Sequence, residues 1–253
     1  MKLMRRRYQQ IASKWKKHQA LLNSPSLHYH IPEMRPFTLQ ALEYLLYRHG
    51  AAFFKPDRGD GGAGIVQIRL DPSETSLWFH QNGGNRQIPI SEGYQWLTGE
   101  ARNRAHIIQQ NICPIFHTGR PLDFRVLLQR IKDSWEVTGM CARIAAKGEV
   151  VTNLRRGGRP LPLDSVVGGG AEGVHWLQGS LSRLGVEVAN TLTRTYRGLR
   201  ELGLDVVMND IGRMWILEVN TRPRFNIFRL LSTRQTYRLI MRNHRRILHT
   251  PAN

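Results

Sequence analysis

FFKPDRGDGGAGI, residues 53–65, joins two short apolar runs through a loop that contains four glycines. Glycine lets a backbone approach a phosphate closely and point several N–H groups at it, and Lys55 adds a positive charge at the end of the first run. The loop lacks the GK[ST] of a Walker A loop, and it leads into a strand instead of the helix of a dinucleotide-binding fingerprint. The stretch therefore indicates either a flap that closes over phosphates or an ordinary flexible hairpin.

Two apolar strands further along the chain carry acidic residues. Asp205 lies in the first strand, and Glu218 and Asn220 lie two residues apart in the second. Side chains two apart on a strand share a face, and pairing across the intervening turn brings Asp205 within reach of that face. Three oxygen ligands of this kind suit Mg²⁺ held partly by substrate phosphates. The alternative is that nearby arginines pair with the carboxylates; the two candidates are Arg213 and Arg222.

The composition indicates a globular protein with anionic partners. The chain has 253 residues, of which 41% are hydrophobic and 22% charged, and its formal net charge is +18. The charge favours phosphates, nucleic acid, an anionic membrane or an acidic polymer without choosing among them. Cys113 and Cys141 form no disulfide framework and no CxxC site, so we expect reduced thiols. The N-terminal residues do not resemble a signal peptide and no apolar run is long enough to span a membrane, so we expect an intracellular, soluble protein.

The order of predicted elements mixes antiparallel hairpins with helices, which is typical of an α+β fold. We predict strands over residues 51–55, 65–70, 76–80, 86–90, 107–112, 124–131, 135–145, 204–208 and 213–219. We predict helices over residues 1–22, 38–49 and 91–103, a long helix from about Leu181 that Gly203 ends, and a basic helix over 225–247. Residues 154–175 contain many glycines and are predicted to be a loop.

The order and spacing of several motifs resemble the YheC/YheD family of endospore coat-associated ATP-grasp proteins. The matching stretches are SKWKK (13–17), FFKPDRGDGGAGI (53–65), DFRVLLQR (123–130), WEVTGMCARIA (135–145), VTNLRRGG (151–158) and LGLDVVMNDIGRMWILEVNTRP (202–223). Each motif is weak alone, but together they cover residues from about 10 to 230. The resemblance implies an ATP-grasp fold, α+β, in which two lobes clasp a nucleotide.

The resemblance assigns residues to the nucleotide. Lys55 and the flap glycines would contact the phosphates, and Lys14 is a second lysine for the same role; the glycines are Gly59, Gly61, Gly62 and Gly64. A hinge strand would read the adenine edge with its backbone; its residues are Gln109, Gln110, Asn111 and Ile112.

The resemblance also assigns the metal and the reaction. Asp205, Glu218 and Asn220 would hold Mg²⁺. Arg143 and Asn153 would lie near the triphosphate or an acyl-phosphate, and Arg125 would face the acceptor substrate.

The resemblance implies one domain over residues 1–253, with a first lobe at about 10–108 that carries the flap and a second lobe at 109–253 that carries the metal site. Members of the superfamily usually carry a further N-terminal α/β domain that helps to bind substrate. Only about 50 residues precede Lys55, too few for that domain and the start of the first lobe. We therefore expect a complete nucleotide site and a substrate site that is open or shared with a partner.

Three functions follow as hypotheses. The first is a Mg-ATP-dependent ligase that activates a carboxylate as an acyl-phosphate for an amine or similar acceptor, both unidentified. The second is a catalytically silent ATP-binding protein that assembles with spore coat proteins. The third, RNA binding, is favoured only by charge, so nucleic acid is the least expected partner. The first two place the protein in the cytoplasm or on the spore coat.

Overall fold

Two antiparallel sheets with a cavity between them form the computed structural model, which describes residues 8–59, 61–81, 83–231 and 234–249. The described part contains helices and antiparallel strands together, so the predicted α+β class is confirmed.

The first sheet is formed by residues 34–110. Its strands are β1 (Met34–Pro36), β2 (Ala51–Pro56), β3 (Val66–Leu70), β4 (Ser76–Gln81), β5 (Gly84–Pro89) and β6 (His106–Gln110). They lie in the order β1-β6-β2-β3-β4-β5, and each neighbouring pair is antiparallel. Successive side chains of a strand point to opposite faces. Ala52 and Phe54 therefore pack in the core, whereas Phe53 and Lys55 line the cavity.

The second sheet is formed by residues 116–220. Its strands are β7 (Phe116–His117), β8 (Arg120–Ile131), β9 (Ser134–Ile144), β10 (Arg159–Leu161), β11 (Glu201–Met208) and β12 (Met214–Asn220). The main order is β10-β9-β8-β11-β12, and β7 pairs with β8. The same alternation operates along β8, where Phe124 and Val126 pack in the core. Asp123 and Arg125 on the opposite face line the cavities described below.

Helices pack on both sheets. They are α1 (Lys14–Leu21), α2 (Leu39–His49), α3 (Ile90–Ala101), α4 (Gly170–Thr195), α5 (Asn226–Arg229) and α6 (Arg234–His249), with 3₁₀ turns at Pro25–His30, Leu154–Arg156 and Leu163–Ser165. The α2 boundaries agree with the sequence. The hydroxyl of Thr38 accepts a hydrogen bond from the Ala41 N–H at 3.1 Å, and Gly50 ends the helix with φ +68°, a conformation that glycine adopts without steric cost.

The N-terminal residues pack with the second sheet. Ala20, Leu21, Leu27 and Ile31 are buried in the same cluster as α4 and the strands β8 and β11. The described chain thus packs first on the second sheet, then builds the first sheet, and returns to the second. The lobe boundaries given above stay a prediction.

Several predicted element boundaries differ from those of the structure. Within the described part of residues 1–22, only Lys14–Leu21 is helical; residues 1–7 lie outside that part. The loop predicted at 154–175 contains β10 and the start of α4, and the basic C-terminal segment forms two helices.

Gly203 does not end the long helix, because α4 already ends at Thr195 and Gly203 lies inside β11. A Cβ atom at Gly203 would lie 2.8 Å from both Arg125 Nη1 and Pro223 Cβ. The glycine therefore leaves room for the Arg125 guanidinium.

The described residues contain two free cysteines, exposed Cys113 and buried Cys141. Burial raises the pKa of the Cys141 thiol to about 12. Within the same described part, no helix is long and apolar enough to cross a membrane.

Truncation of a buried leucine in α2 should destabilise the first sheet. Leu45 is fully buried between α2 and that sheet, so Leu45→Ala should lower the free energy of unfolding by about 2–5 kcal/mol, since it removes buried methyl groups and leaves a cavity. Urea unfolding followed by circular dichroism measures the change. Tyr47, 93% exposed on the same helix, is the matched control, and Tyr47→Ala should stay within about 0.5 kcal/mol. Equal losses in both variants would contradict the described burial of α2.

Candidate functional site

A cavity of about 360 Å³, the first cavity, lies between the two sheets. Phe53, Lys55 and Gln67 line it from the first sheet, and Leu217 and Glu218 line it from the second. A concave site that combines apolar walls with a few convergent polar groups is typical of small-molecule binding. The two sheets therefore build one site jointly, and neither contains it alone.

A second cavity of about 280 Å³ lies beside the first and extends from the glycine loop to the residues that follow β12. Arg143, Asn153, Asp205 and Glu218 line both cavities. These four residues, which we call the junction, face a ligand in either cavity. Arg125 and Asn220 line the second cavity.

Two carboxylates face each other across neighbouring strands at the junction. The pairing of β11 with β12 places Asp205 opposite Glu218, and a β-bulge follows between Asp205 and Val206. Directly opposed like charges destabilise a sheet, so the pair needs cations nearby. Arg125 Nη2 lies 2.8 Å from Asp205 Oδ1, and Lys14 Nζ lies 3.4 Å from Glu218 Oε1.

Arg143 is the most constrained cation of the site. Its guanidinium is buried and forms a bidentate pair with Asp123, with Nε 2.6 Å from Oδ1. Its Nη2 also lies 3.1 Å from Asp205 Oδ1, and Thr152 donates its hydroxyl proton to Asp123. Burial opposes the charged form of Arg143, but the carboxylates of Asp123 and Asp205 outweigh it and raise the pKa of the guanidinium. Arg143 therefore stays charged and fixed in orientation.

Lys55 is buried on the first-sheet side of the first cavity. Burial lowers the pKa of its ammonium to about 8, although the nearby Glu218 carboxylate opposes this shift. The ammonium donates a hydrogen bond to Gln109 Oε1, and Gln109 Nε2 donates to the Leu217 carbonyl on the second sheet at 3.2 Å. An added anion would stabilise the desolvated ammonium, because a nearby opposite charge favours the charged form.

Helix α1 positions Lys14 through Asp57, the first residue after β2. Asp57 Oδ1 accepts hydrogen bonds from the Ser13 hydroxyl at 2.9 Å and the Trp15 N–H at 2.8 Å. A carboxylate at a helix N-terminus is stabilised by the unpaired N–H groups there. Lys14 Nζ then donates to the carbonyls of Pro56 and Gly59, both at 3.1 Å. Lys14 thus links the base of the glycine loop to Glu218.

The glycine loop lies against residues of the second sheet. Gly59, Gly61, Gly62 and Gly64 all have positive φ, between +71° and +137°. A Cβ at Gly62 would lie 2.8 Å from Asn153 Nδ2, and one at Gly61 would lie 2.8 Å from Arg155 Cδ. The positive φ values favour glycine at these positions, and the loop lies close to the far wall of the site.

Two of the four residues predicted as a hinge line the first cavity. Asn111 and Ile112 line the first cavity, whereas Gln109 and Gln110 are not among the described residues that line it. The Gln110 N–H donates to the Glu33 carbonyl at 2.8 Å, and the Asn111 N–H donates to the Ala51 carbonyl at 3.2 Å. Gln109 contributes through its side chain, which holds Lys55.

The arginine partners of the carboxylates differ from those expected. Asp205 is paired with Arg125 and Arg143. Arg213 instead packs over the rings of Tyr29 and Trp215, 3.8 Å and 3.5 Å from their centroids. The local sequence could not predict the partners of Asp205, because Arg125 lies on β8 and Arg143 on β9, both distant from Asp205 in sequence.

Sequence reasoning missed three charged residues of the site: Asp57, Asp123 and Lys17. The signal for Asp123 was an acidic residue at the start of an otherwise apolar stretch in a basic chain. Lys17 lies buried on α1 beside Glu218, and burial lowers the pKa of its ammonium to about 8. Its position in a basic helix gave no signal of burial.

The residues present fit a Mg²⁺ ion that shares its coordination with phosphate oxygens. Asp205, Glu218 and Asn220 line one cavity and supply the oxygen ligands that Mg²⁺ prefers. Asp205 Oδ1 is buried without a hydrogen bond from any described residue; the two guanidinium nitrogens lie at ion-pair distance but are not aligned to donate. Within the described residues, no group of three or more His, Cys, Asp or Glu is placed to hold a metal.

The chain is similar to two endospore coat-associated proteins, YheD and YheC of Bacillus subtilis (strain 168), and to synthetases of known structure. It is 28% identical over 224 residues to the endospore coat-associated protein YheD of Bacillus subtilis (strain 168), which covers 85% of this chain and 49% of YheD. The crystal structure of the D-cycloserine synthetase DcsG superposes with a TM-score of 0.55 at 12% identity, over 93% of this chain and 70% of that one. The ADP complex of N5-carboxyaminoimidazole ribonucleotide synthetase (purK) superposes with a TM-score of 0.52 at 12% identity, over 85% of this chain and 46% of that one.

The low identities to the solved structures show the fold alone, and the chain spans about half the length of the curated relatives it matches. The sequence model of the YheC/D-like ATP-grasp family matches residues 7–246. The chain therefore belongs to the YheC/D-like ATP-grasp family.

Proposed function

We propose that this protein binds Mg-ATP between its two sheets and uses it to activate a carboxylate for attack by an amine or similar nucleophile. The observation that carries the proposal is the junction. There, Arg143, Asp205 and Glu218 converge with the buried ammonium of Lys55 on a cavity formed by both sheets. The ADP complex of purK supports the proposal, since it shares the fold and holds a nucleotide.

The walls of the first cavity suggest the orientation of the nucleotide. Phe53, Ile112 and Leu217 supply apolar surface for the adenine ring, while Lys55 and Arg143 supply the positive charge that phosphates require. The flap, whose Gly62 approaches Asn153, would cover the phosphates and exclude water. Lys14 lies at the base of that flap and would add a further charge near the phosphates.

Asp205, Glu218 and Asn220 would hold Mg²⁺, which neutralises phosphate charge when it is bound. Side chains of this protein would position the reactants and stabilise the charge that develops in the reaction. A carboxylate oxygen of the substrate attacks the γ-phosphorus, the bond to the β-γ bridging oxygen breaks, and ADP leaves. Lys55 and Arg143 offset the charge that develops on the phosphoryl oxygens, and Arg125 and Asn153 position the reactants. The nucleophile then attacks the acyl carbon and expels inorganic phosphate.

A catalytically silent ATP-binding protein of the spore coat is the second candidate. Its support is the description of the relative YheD as endospore coat-associated. A second observation agrees with it, because Asp205 is already paired with two guanidinium groups that compete with a metal.

Removal of the Lys55 ammonium should abolish most nucleotide binding. Mg-ATP should raise the melting temperature of the wild type, because a ligand that binds only the folded state stabilises it, and Lys55→Ala should lose most of that shift. Wild-type affinity should also weaken as pH rises above about 8, since Lys55 then loses the proton that phosphates favour. Thermal shift and calorimetric titration at pH 7 and pH 9 measure both effects.

The matched control is Lys16→Ala, which removes an exposed lysine of α1. Lys16→Ala should retain the full increase in melting temperature with Mg-ATP and the full pH dependence of binding. That pH dependence includes any contribution from Lys17. An unchanged shift in Lys55→Ala would remove Lys55 from the nucleotide site.

Neutralisation of Glu218 should separate metal binding from nucleotide binding. Glu218→Gln keeps the shape and removes the charge, so Mg²⁺-dependent ATP binding should weaken about 10-fold or more, as expected when a charge-assisted contact is lost. Metal-free nucleotide binding should change little. Calorimetry with and without Mg²⁺ measures the difference, and Glu136→Gln, an exposed carboxylate on β9, is the control. Equal losses with and without metal would refute the assignment.

The products should be ADP and phosphate, because the charged groups gather where the terminal phosphate would lie. Turnover should require an added carboxylate, since the flap protects an acyl-phosphate from water. Chromatography of the nucleotide products over a panel of amino acids, peptides and cell-wall precursors measures this. AMP as the main product would refute the mechanism, and tight ATP binding without turnover on any substrate would favour the silent protein.

A further inference from the structure

Helix α6 presents one row of arginines to solvent. The helix contains no acidic residue, and its exposed arginines recur at intervals of three or four positions, which places them on one side of the helix. We call this set the arginine row; its members are Arg234, Arg238, Arg242 and Arg245. At about 100° and about 1.5 Å of rise per residue, the four point within about 80° of one another and extend over about 16 Å.

The arginine row is available to a partner. The opposite side of α6 carries the buried residues Ile240, Asn243 and Ile247, and Ile240 packs with Leu127 of the second sheet. Within the described part of the chain, none of the four arginines has an ion pair or a side-chain hydrogen bond, whereas the neighbouring Arg246 already has a partner and is not counted. Like charges one helical turn apart repel, so an anionic partner would relieve that repulsion.

An anionic membrane is a poor partner for this surface. A helix that binds in the interface of a bilayer buries its apolar side among lipids, whereas the apolar side of α6 already packs in the protein. Among the described residues of α6, the only exposed large apolar side chain is Leu239, at 38%. The helix therefore has no free apolar side to insert.

A folded acidic protein also fits this surface poorly. Protein interfaces depend on aromatic and other large anchors that become buried at their centre, and the exposed residues of α6 include no Phe, Tyr or Trp. The backbone of a nucleic acid needs no such anchor, because arginine–phosphate contacts supply most of its nonspecific affinity. The same absence removes the aromatic surface on which the bases of a single strand stack, so a duplex fits best.

We propose that the arginine row binds the phosphate backbone of a nucleic-acid duplex without reading its sequence. Guanidinium groups pair bidentately with phosphate oxygens, and phosphate contacts position a protein on a duplex but carry no sequence information. Net charge alone gave no location for such a partner. No residue of α6 lines either cavity, so this surface is separate from the site of the proposed function and does not depend on it.

The test measures binding of the full chain to fluorescent duplexes of about 20 base pairs, by anisotropy between about 50 and 200 mM salt. The variant Arg238→Gln/Arg242→Gln removes two charges of the row, and glutamine has nearly the helix propensity of arginine. Each phosphate contact contributes about 0.9 to the slope of log affinity against log salt, so the slope should become shallower by about 1.8. Binding at about 50 mM salt should weaken about 10-fold or more.

The matched control is Arg183→Gln/Arg194→Gln, which removes two exposed arginines from α4. Helix α4 lies on the other face of the second sheet, since a Cβ at its Gly185 would lie 3.4 Å from Val126, whereas α6 packs on Leu127, and successive strand residues point to opposite faces. The control should keep the full slope. Equal changes in both variants would mean that binding responds only to net charge and would overturn the proposal.

Further arms identify the partner. DNA and RNA duplexes are compared, and the tighter one identifies the source; two duplexes of unrelated sequence should bind within about threefold of each other. Saturating Mg²⁺ and AMP-PNP should leave binding unchanged, and displacement of the duplex would place the nucleic acid in the first cavity and overturn the proposal. Tighter binding of a single strand, of polyglutamate or of phosphatidylglycerol vesicles than of either duplex would overturn it. Absence of duplex binding at about 0.1 mM protein would do the same.

Discussion

The opposed carboxylates Asp205 and Glu218 are the constraint on which the rest of the site depends. The register of β11 and β12 places them opposite each other, where like charges repel. The chain offsets this repulsion with cations from three separate elements, α1, β8 and β9, through Lys14, Arg125 and Arg143. Such a cluster is stable only while those elements stay in place, so the electrostatics of the site depend on the packing of α1, β8 and β9.

The same coupling links the two sheets. Gln109 holds the Lys55 ammonium from one sheet and donates to the Leu217 carbonyl of the other. Asp57 ties the N-terminus of α1 to the base of the glycine loop. A ligand in the first cavity would therefore act on contacts that already cross between the sheets. An added anion would relieve the desolvation of Lys55, which gives a physical reason for preferring phosphate there.

The two cavities suggest separate binding positions for two ligands within one site. The junction lines both cavities. A nucleotide in the first cavity and a substrate in the second would therefore meet at Arg143, Asn153, Asp205 and Glu218. The first cavity is lined by four basic and four acidic residues, and this balance of charge suits a ligand that brings its own metal ion.

The sequence by itself determined the local features of this protein. Glycine spacing and the preceding lysine indicated the loop, and the two-residue spacing of Glu218 and Asn220 indicated a shared strand face, because both depend on backbone geometry over a few residues. Only the tertiary structure decided which groups meet. Three contacts depend on packing between residues that are distant in sequence. They are the Asp123–Arg143 pair, the contact of Lys14 with Glu218, and the close approach of Arg125 to Gly203. Strand register and burial determine these contacts, and neither can be predicted from a short stretch of sequence.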